Sequence, residues 1–152
     1  MTVVSIKQRV AAPVEVAWAA IIDIDGYPKH VGSYVRVEFM TSNRTGVGAR
    51  WRQWRTVFGR EHDQTIEITT WEPPRRLVTS AQESGAAYET TYLLEAEGSE
   101  TLVTMAFEVR PLNPVASLFQ RLLGRRLLAS TRQAMERDLS DLAAAAVAED
   151  RD

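Results

Sequence analysis

The order in which the hydrophobic pattern changes along the chain limits its fold more than any other feature. A strand-like alternation comes first, a short helical stretch follows Ala11-Ala12-Pro13, further strands come next, and the C-terminal part has the period of one long helix. Such elements are stable when sheet and helix bury their apolar faces against each other. The sequence therefore predicts an α+β fold, in which a curved antiparallel sheet wraps around the C-terminal helix and leaves room for an apolar ligand.

The composition is that of a globular protein. The 152 residues suffice for one domain, which we predict over residues 1–148, with a frayed tail over residues 149–152. Hydrophobic residues make up 45% and charged residues 25%, and the net charge of −2 predicts no general attraction to nucleic acid. The lack of cysteine and of a signal-peptide pattern predicts a cytoplasmic protein without disulfides.

Several classes of site are disfavoured by the absence of their motifs. The sequence contains no phosphate-binding glycine loop, and Asp23-Ile24-Asp25-Gly26 lacks the further ligands of a calcium loop. Two histidines without cysteine disfavour zinc, so we expect neither metal nor cofactor. No segment approaches membrane-spanning length, and a helix that closes its own core is not free to dock on a bilayer, so we expect no membrane insertion.

The N-terminal region is predicted to contain a strand, a helix and a second strand. Apolar and polar residues alternate over residues 4–10, as in a half-buried strand. Pro13 suits the start of a helix, because its missing N–H would have no partner there, and residues 16–21 give that helix an apolar side. Asp25-Gly26-Tyr27-Pro28 ends the helix, and a strand is predicted over residues 34–40.

Gly59-Arg60 is a candidate two-residue turn between two strands. A turn there places Trp51 opposite Ile68, Gln53 opposite Ile66, Arg55 opposite Gln64, Val57 opposite His62 and Trp54 opposite Thr65. On the outer face Arg52 then lies opposite Glu67, a charge pair that supports this register.

Gly98-Ser99 is a second candidate turn. It places Leu94 opposite Val103, Tyr92 opposite Met105, Thr90 opposite Phe107 and Tyr88 opposite Val109. A slip by one residue would expose the apolar residues of this face, so the hydrophobic pattern specifies the register. The outer face is less favourable, because Glu89 falls opposite Glu108.

The C-terminal helix is predicted after Pro111 and Pro114. Its apolar residues recur mostly at spacings of three or four: Val115, Leu118, Phe119, Leu122, Leu128, Met135, Leu139 and Leu142. Roughly 35 residues would span about 50 Å, longer than such a domain is wide, so we expect a bend at Gly124. We expect the whole stripe to lie across the concave face of the sheet, because it would otherwise be exposed.

These residues resemble a known superfamily. Ala12-Pro13-Val14-Glu15-Val16-Ala17-Trp18, followed by Asp23 and Tyr27-Pro28, is similar to the opening of START-like (SRPBCC) proteins. Later landmarks are matched by Gly46-Val47-Gly48, by Trp71-Glu72-Pro73-Pro74-Arg75-Arg76-Leu77, and by Gly98 followed by Thr101. The resemblance covers nearly the whole chain and implies the helix-grip fold: a seven-stranded sheet around the long helix and a hydrophobic cavity, with two short helices between strands 1 and 2. It implies no single chemistry, since members include carriers, cyclases, hydrolase-like enzymes and regulatory subunits.

The inward face of the two hairpins is the candidate ligand site. Its apolar wall consists of Trp51, Ile66, Ile68, Tyr88, Tyr92, Met105 and Phe107, and its polar groups are Gln53, Arg55, His62, Gln64 and Thr90. All of these except Ile68, together with Phe119 and Leu122 from the helix, are the candidate ligand-binding residues. Neither hairpin points Asp or Glu inward, which argues against catalysis by paired carboxylates.

Arg55 is the most informative polar residue of this face. An inward guanidinium without a carboxylate partner should meet water, a carbonyl or an acidic ligand group. We predict that Arg55, with Gln64 and His62, orients the polar end of the ligand. The alternatives are that it reaches solvent at the cavity mouth or pairs with a carboxylate elsewhere in the chain. His62 is either a general base, for which its usual pKa of about 6.5 is suited, or a solvated histidine near a hairpin end.

Three functional classes are compatible with these residues. The first is a binding protein or carrier for a small, mostly apolar molecule, lipid- or polyketide-like, with one polar end. The second is an aromatase/cyclase or dehydrase, with Arg55, His62 and Tyr88 as candidate catalytic residues that polarise carbonyls or move protons. The third is a regulator that binds another protein through its sheet and helix surfaces.

Overall fold

The computed structural model describes residues 2–57, 59–83 and 85–151. In chain order the elements are β1 (Thr2–Val10), α1 (Val14–Ile22), a 3-10 turn (Ile24–Gly26), α2 (Tyr27–His30), β2 (Tyr34–Phe39), β3 (Arg50–Val57), β4 (Arg60–Glu72), β5 (Arg76–Glu83), β6 (Ala86–Glu97), β7 (Glu100–Pro111) and α3 (Pro114–Arg151). The strands form one antiparallel sheet in the order β1-β7-β6-β5-β4-β3-β2, and α3 packs against β1, β7 and α1. The predicted α+β helix-grip fold is therefore confirmed.

The β6–β7 hairpin has the predicted register. Tyr92 lies opposite Met105 and Thr90 opposite Phe107, and the unfavourable pair of Glu89 and Glu108 is also present. Because a slip would move a continuous apolar face into water, the hydrophobic pattern alone was enough to specify this pairing.

The β3–β4 hairpin differs from the prediction by two residues. Trp51 lies opposite Ile66, Gln53 opposite Gln64, Arg55 opposite His62 and Val57 opposite Arg60. Gly59, with a φ of 76°, lies between the paired residues Val57 and Arg60, so the turn is not the predicted Gly59-Arg60. Phe58 lies outside the described residues. Moving a turn by one residue changes the register by two, so every side chain keeps its predicted face. The predicted pair of Arg52 and Glu67 is wrong: Arg52 binds Asp63 at 2.7 Å.

The core lies where α1 and the second half of α3 cross the sheet. Trp51, Ile68 and Leu77 contribute from the strands, and Leu139 and Leu142 contribute from α3, each no more than 3% exposed. Burial of these side chains supplies the hydrophobic stabilisation of the domain.

The predicted stripe of α3 belongs to two different faces of the helix. Met135, Leu139 and Leu142 are buried, whereas the side chains of Val115, Leu118, Phe119 and Leu122 are exposed. Leu128 follows Leu122 by six residues, which places it about 120° around the helix at roughly 100° per residue. The expectation that the sheet covers the whole stripe is therefore wrong. The helix runs without interruption through Gly124 and on to Arg151, so residues 149–151, predicted as a frayed tail, are helical.

Candidate ligand-binding site

Arg55 lies in a polar cluster between β3, α3 and the segment before β2. Its Nη2 donates to Ser33 Oγ at 2.7 Å and forms an ion pair with Asp138 of α3. The Ser33 hydroxyl donates to the other oxygen of Asp138 at 2.9 Å, and the guanidinium lies 4.4 Å from the centre of the Tyr34 ring. Burial alone would lower the pKa of Arg55, but Tyr34 and Asp138 raise it above its usual value, so Arg55 stays charged.

The ion pair with Asp138 corresponds to one of the alternatives predicted for Arg55, that it pairs with a carboxylate elsewhere in the chain. The hairpins supply no inward acid, but α3 supplies Asp138, whose side chain is only 12% exposed. One turn later, Asp141 accepts a hydrogen bond from the Gly32 N–H at 2.9 Å. Two carboxylates of α3 thus hold the second half of the helix against residues 32–33 and β3.

The remaining polar candidates have different surroundings. Gln53 is buried and accepts a hydrogen bond from Trp51 Nε1 at 3.0 Å. His62 is exposed, and Thr90 is half-buried. Gln64 donates to Glu83 Oε2 at 2.7 Å. Glu83 comes from β5, a strand whose register the hairpin patterns leave open, so it was not among the predicted site residues.

An apolar cleft of about 40 Å³ lies between the first half of α3 and the end of the sheet formed by β1 and β7. It is lined by Val4, Phe107, Val109, Gln120, Gly124, Leu127, Leu128 and Thr131. A wider groove of about 490 Å³ between β1 and the end of α3 is open to solvent and lined largely by small residues. The narrow cleft is therefore the better candidate for an apolar ligand.

The predicted ligand-binding residues are divided between this cleft and the core. Phe107 lines the cleft, and Tyr88 stacks on Phe107 with ring centres 5.8 Å apart. Trp51, Tyr92 and Met105 are buried in the core, and Ile66 packs partly buried against it. Phe119 and Leu122 are 61% and 74% exposed, outside the cleft lining.

Tyr88 connects the cleft to a small polar group. Burial, followed by the charge of Glu83, raises the pKa of Tyr88 above its usual value. The phenol therefore stays protonated and able to donate a hydrogen bond. Glu83 in turn accepts the hydrogen bond from Gln64, and we call Tyr88, Glu83 and Gln64 the polar trio, of which Tyr88 contacts the cleft residue Phe107.

Stability should fall steeply in alkali because burial raises the pKa of all four tyrosines, Tyr27, Tyr34, Tyr88 and Tyr92. Unfolded tyrosines ionise near pH 10, whereas these stay protonated when folded, so above about pH 10 the unfolded state binds fewer protons. Below about pH 9 these groups should leave the free energy of unfolding unchanged. Above about pH 10 that free energy should fall by up to about 1.4 kcal/mol per tyrosine for each pH unit. Urea unfolding between pH 8 and 11 measures this loss. Phenolate absorbance that titrates near pH 10 in the folded protein for all four tyrosines would contradict it.

The model of one protein family, polyketide cyclase/dehydrase and lipid transport, matches residues 1–147. The chain belongs to this family. Solved structures share its fold: the protein TTHA0849 from Thermus thermophilus has 20% identity and a TM-score of 0.81, with 97% of this chain and 99% of that one covered. The Zhui aromatase/cyclase from Streptomyces sp. R1128 has 18% identity and a TM-score of 0.74, with 95% and 93% covered. A START superfamily protein from Mycobacterium smegmatis has 18% identity and a TM-score of 0.69, with 92% and 98% covered.

These three solved structures share the fold of this family member. At identities of 18–20% they show the fold and nothing beyond it. No curated protein matches the sequence. Within the described ranges, no group of three or more His, Cys, Asp or Glu side chains is placed so that it could hold a metal ion. Among the same residues, no helix has the length and apolar character to cross a bilayer.

Proposed function

We propose that the protein binds and carries a small, mostly apolar molecule between α3 and strands β1 and β7. The observation that carries this proposal is the cleft whose wall is formed by Val4, Phe107, Val109, Leu127 and Leu128. Ligand sites are typically concave and apolar with a few polar groups, and here Tyr88, stacked on the cleft residue Phe107, supplies such a group. Membership of a family described by lipid transport and polyketide chemistry supports the same class of ligand.

The cleft has to widen to take up such a ligand. Its volume of about 40 Å³ is well below the roughly 300 Å³ of a small-molecule site. The second half of α3 is fixed by Asp138, Asp141 and the buried Leu139. The first half carries an exposed apolar face and contributes few side chains to the core. We therefore infer that residues 114–131 move away from β7 when the ligand enters.

The polar trio indicates which end group the ligand has. Tyr88, stacked on the cleft residue Phe107, offers a hydrogen-bond donor, and the carboxylate of Glu83, which accepts from Gln64, acts on the same phenol. An acidic end group would be repelled by Glu83, so a carbonyl or hydroxyl is favoured over the acid. Arg55, the anchor predicted from the sequence, already binds Asp138 and Ser33.

A cyclase or dehydrase activity, the alternative function, has less support from the side-chain positions. Of its candidate catalytic residues, Arg55 is bound to Asp138 and His62 is exposed to solvent. Tyr88 alone adjoins the cleft, so binding is the function that the geometry supports best.

Filling the cleft tests the proposal. Gly124 lines the cleft and a Cβ there would meet no atom within 4 Å, so Gly124→Leu can direct its side chain into the cleft. We expect at least about tenfold weaker binding of the neutral fluorescent probe N-phenyl-1-naphthylamine. The free energy of unfolding should rise by about 0.5–1 kcal/mol, because glycine is a poor helix former.

The matched control is Ala129→Leu, which adds bulk at an exposed position of α3. Its probe affinity should equal that of the wild type. Equal affinity in Gly124→Leu and wild type would mean that the probe binds elsewhere and would refute the cleft as the ligand site.

A further inference from the structure

The first half of α3 has an apolar face that points away from the sheet. Val115, Leu118, Phe119 and Leu122 are 57–77% exposed. Their spacing places them on one side of the helix, whereas Gln120, Gly124 and Thr131 line the cleft on the opposite side. Further along the same outward side the helix carries Gln133, Glu136 and Arg137, which are polar and exposed. The apolar outward face is therefore confined to about two turns.

Charge is distributed unevenly along the same helix. Residues 112–135 contain Arg121, Arg125, Arg126 and Arg132 and no Asp or Glu, and the acidic residues of α3 begin at Glu136. This segment is strongly basic although the chain as a whole carries a charge of −2. Arg121, Arg125 and Arg126 are exposed and adjoin the apolar face in sequence and around the helix.

We propose that this surface, formed by Val115, Leu118, Phe119 and Leu122 with Arg121, Arg125 and Arg126, docks on an anionic lipid bilayer. A helix with an apolar side and flanking arginines lies in the plane of the interface, with its apolar side chains below the headgroups and its charges among them. The surface is called the docking face below. The argument that α3 is not free to dock on a bilayer assumed that the whole helix closes the core, and the exposed first half removes that assumption.

Charge complementarity favours a bilayer over a second copy of the chain. Two docking faces packed together would bring several arginines close, and residues 112–135 offer no carboxylate to compensate them. Anionic headgroups supply that compensation, at about 1 kcal/mol for each arginine near the surface. The docking face is opposite the cleft, so this inference does not depend on the proposed ligand.

Vesicle flotation tests the docking face directly. The protein should float with vesicles of phosphatidylcholine and phosphatidylglycerol, less so in high salt, and should not float with phosphatidylcholine alone. Arg125→Gln with Arg126→Gln should weaken binding about 30-fold. Leu118→Ser with Leu122→Ser should weaken it at least about tenfold. The matched controls Arg137→Gln and Val47→Ser, at exposed positions outside the docking face, should bind like the wild type.

The absence of cysteine allows a second readout. A nitrobenzoxadiazole label on Phe119→Cys should shift to the blue with anionic vesicles, whereas the same label on Gln133→Cys, farther along the outward side, should not. Failure to float with anionic vesicles at low salt would overturn the proposal. The proposal would also be overturned if light scattering showed a dimer of the wild type and a monomer of the variant with both Leu118→Ser and Leu122→Ser. A second copy of the chain would then cover the docking face. Gly124→Leu should float normally, which separates failure of the cleft from failure of the docking face.

Discussion

Replacing Asp138 with alanine is expected to lower the free energy of unfolding by about 3 kcal/mol. The side chains of Arg55 and Asp138 are 23% and 12% exposed, so truncation leaves a largely buried guanidinium without its counter-charge. Arg55 Nε already lacks a hydrogen-bond partner among the described residues, and Ser33 would lose the acceptor of its hydroxyl. Urea unfolding at pH 7, with the slope checked for two-state behaviour, measures the loss.

The matched control is Asp63→Ala, which removes the partner of Arg52. That pair has a similar geometry, 2.7 Å between Nη2 and Oδ2, but its side chains are 51% and 49% exposed. Its loss should cost less than about 1 kcal/mol, because solvent screens exposed ion pairs. The double variant Arg55→Met with Asp138→Leu should recover most of the stability, since it removes both charges and keeps the volume. Equal losses for Asp138→Ala and Asp63→Ala would show that the cluster is not buried in solution.

The Arg55 cluster also bears on how the ligand site works. Because it fixes the second half of α3 to β3 and to residues 32–33, the helix is held firmly at one end. The half that covers the cleft has fewer buried contacts and an exposed outward face. Local opening is expected where buried apolar contacts are few, so the first half can move while the core stays intact.

The extent to which the sequence predicts the strand pairing depends on how apolar the paired faces are. The inward face of β6 and β7 is almost continuously apolar, and its register was predicted correctly. The inward face of β3 and β4 includes Gln53, Arg55, His62 and Gln64, which tolerate several neighbours. A shift by two residues exposes nothing apolar there, so the position of the turn alone sets the register.

The surroundings of Arg55 were less predictable than the strand pairing. Its partner Asp138 lies on α3, and the sequence patterns predicted which residues face each other only within the two hairpins. Asp138 follows Met135 by three residues and precedes Leu142 by four, a spacing that places it on the buried face of α3. That signal was available, but Asp138 is not among the site residues predicted from the sequence. The predicted stripe joined Phe119 and Leu122 with Leu139 because it considered only the spacing between successive apolar residues. It did not consider the angle that each residue occupies around the helix, and the two groups lie on different faces.

Two leucines of α3 distinguish the buried half of the helix from the exposed half. Leu139→Ala should lower the free energy of unfolding by about 3 kcal/mol, because Leu139 is 1% exposed and its truncation leaves a cavity in the core. Leu122→Ala should change it by less than about 0.5 kcal/mol, because Leu122 is 74% exposed. Both substitutions change helix propensity equally, so the difference between them measures burial alone.

Urea unfolding of the two variants at one protein concentration makes the comparison. A loss for Leu122→Ala close to that of Leu139→Ala would mean that the first half of α3 is covered in solution, by the sheet or by another copy. The expected small loss would leave Leu122 free in the folded monomer. Its side chain would then be available to a bilayer, and the helix that bears it would be held mainly through its second half.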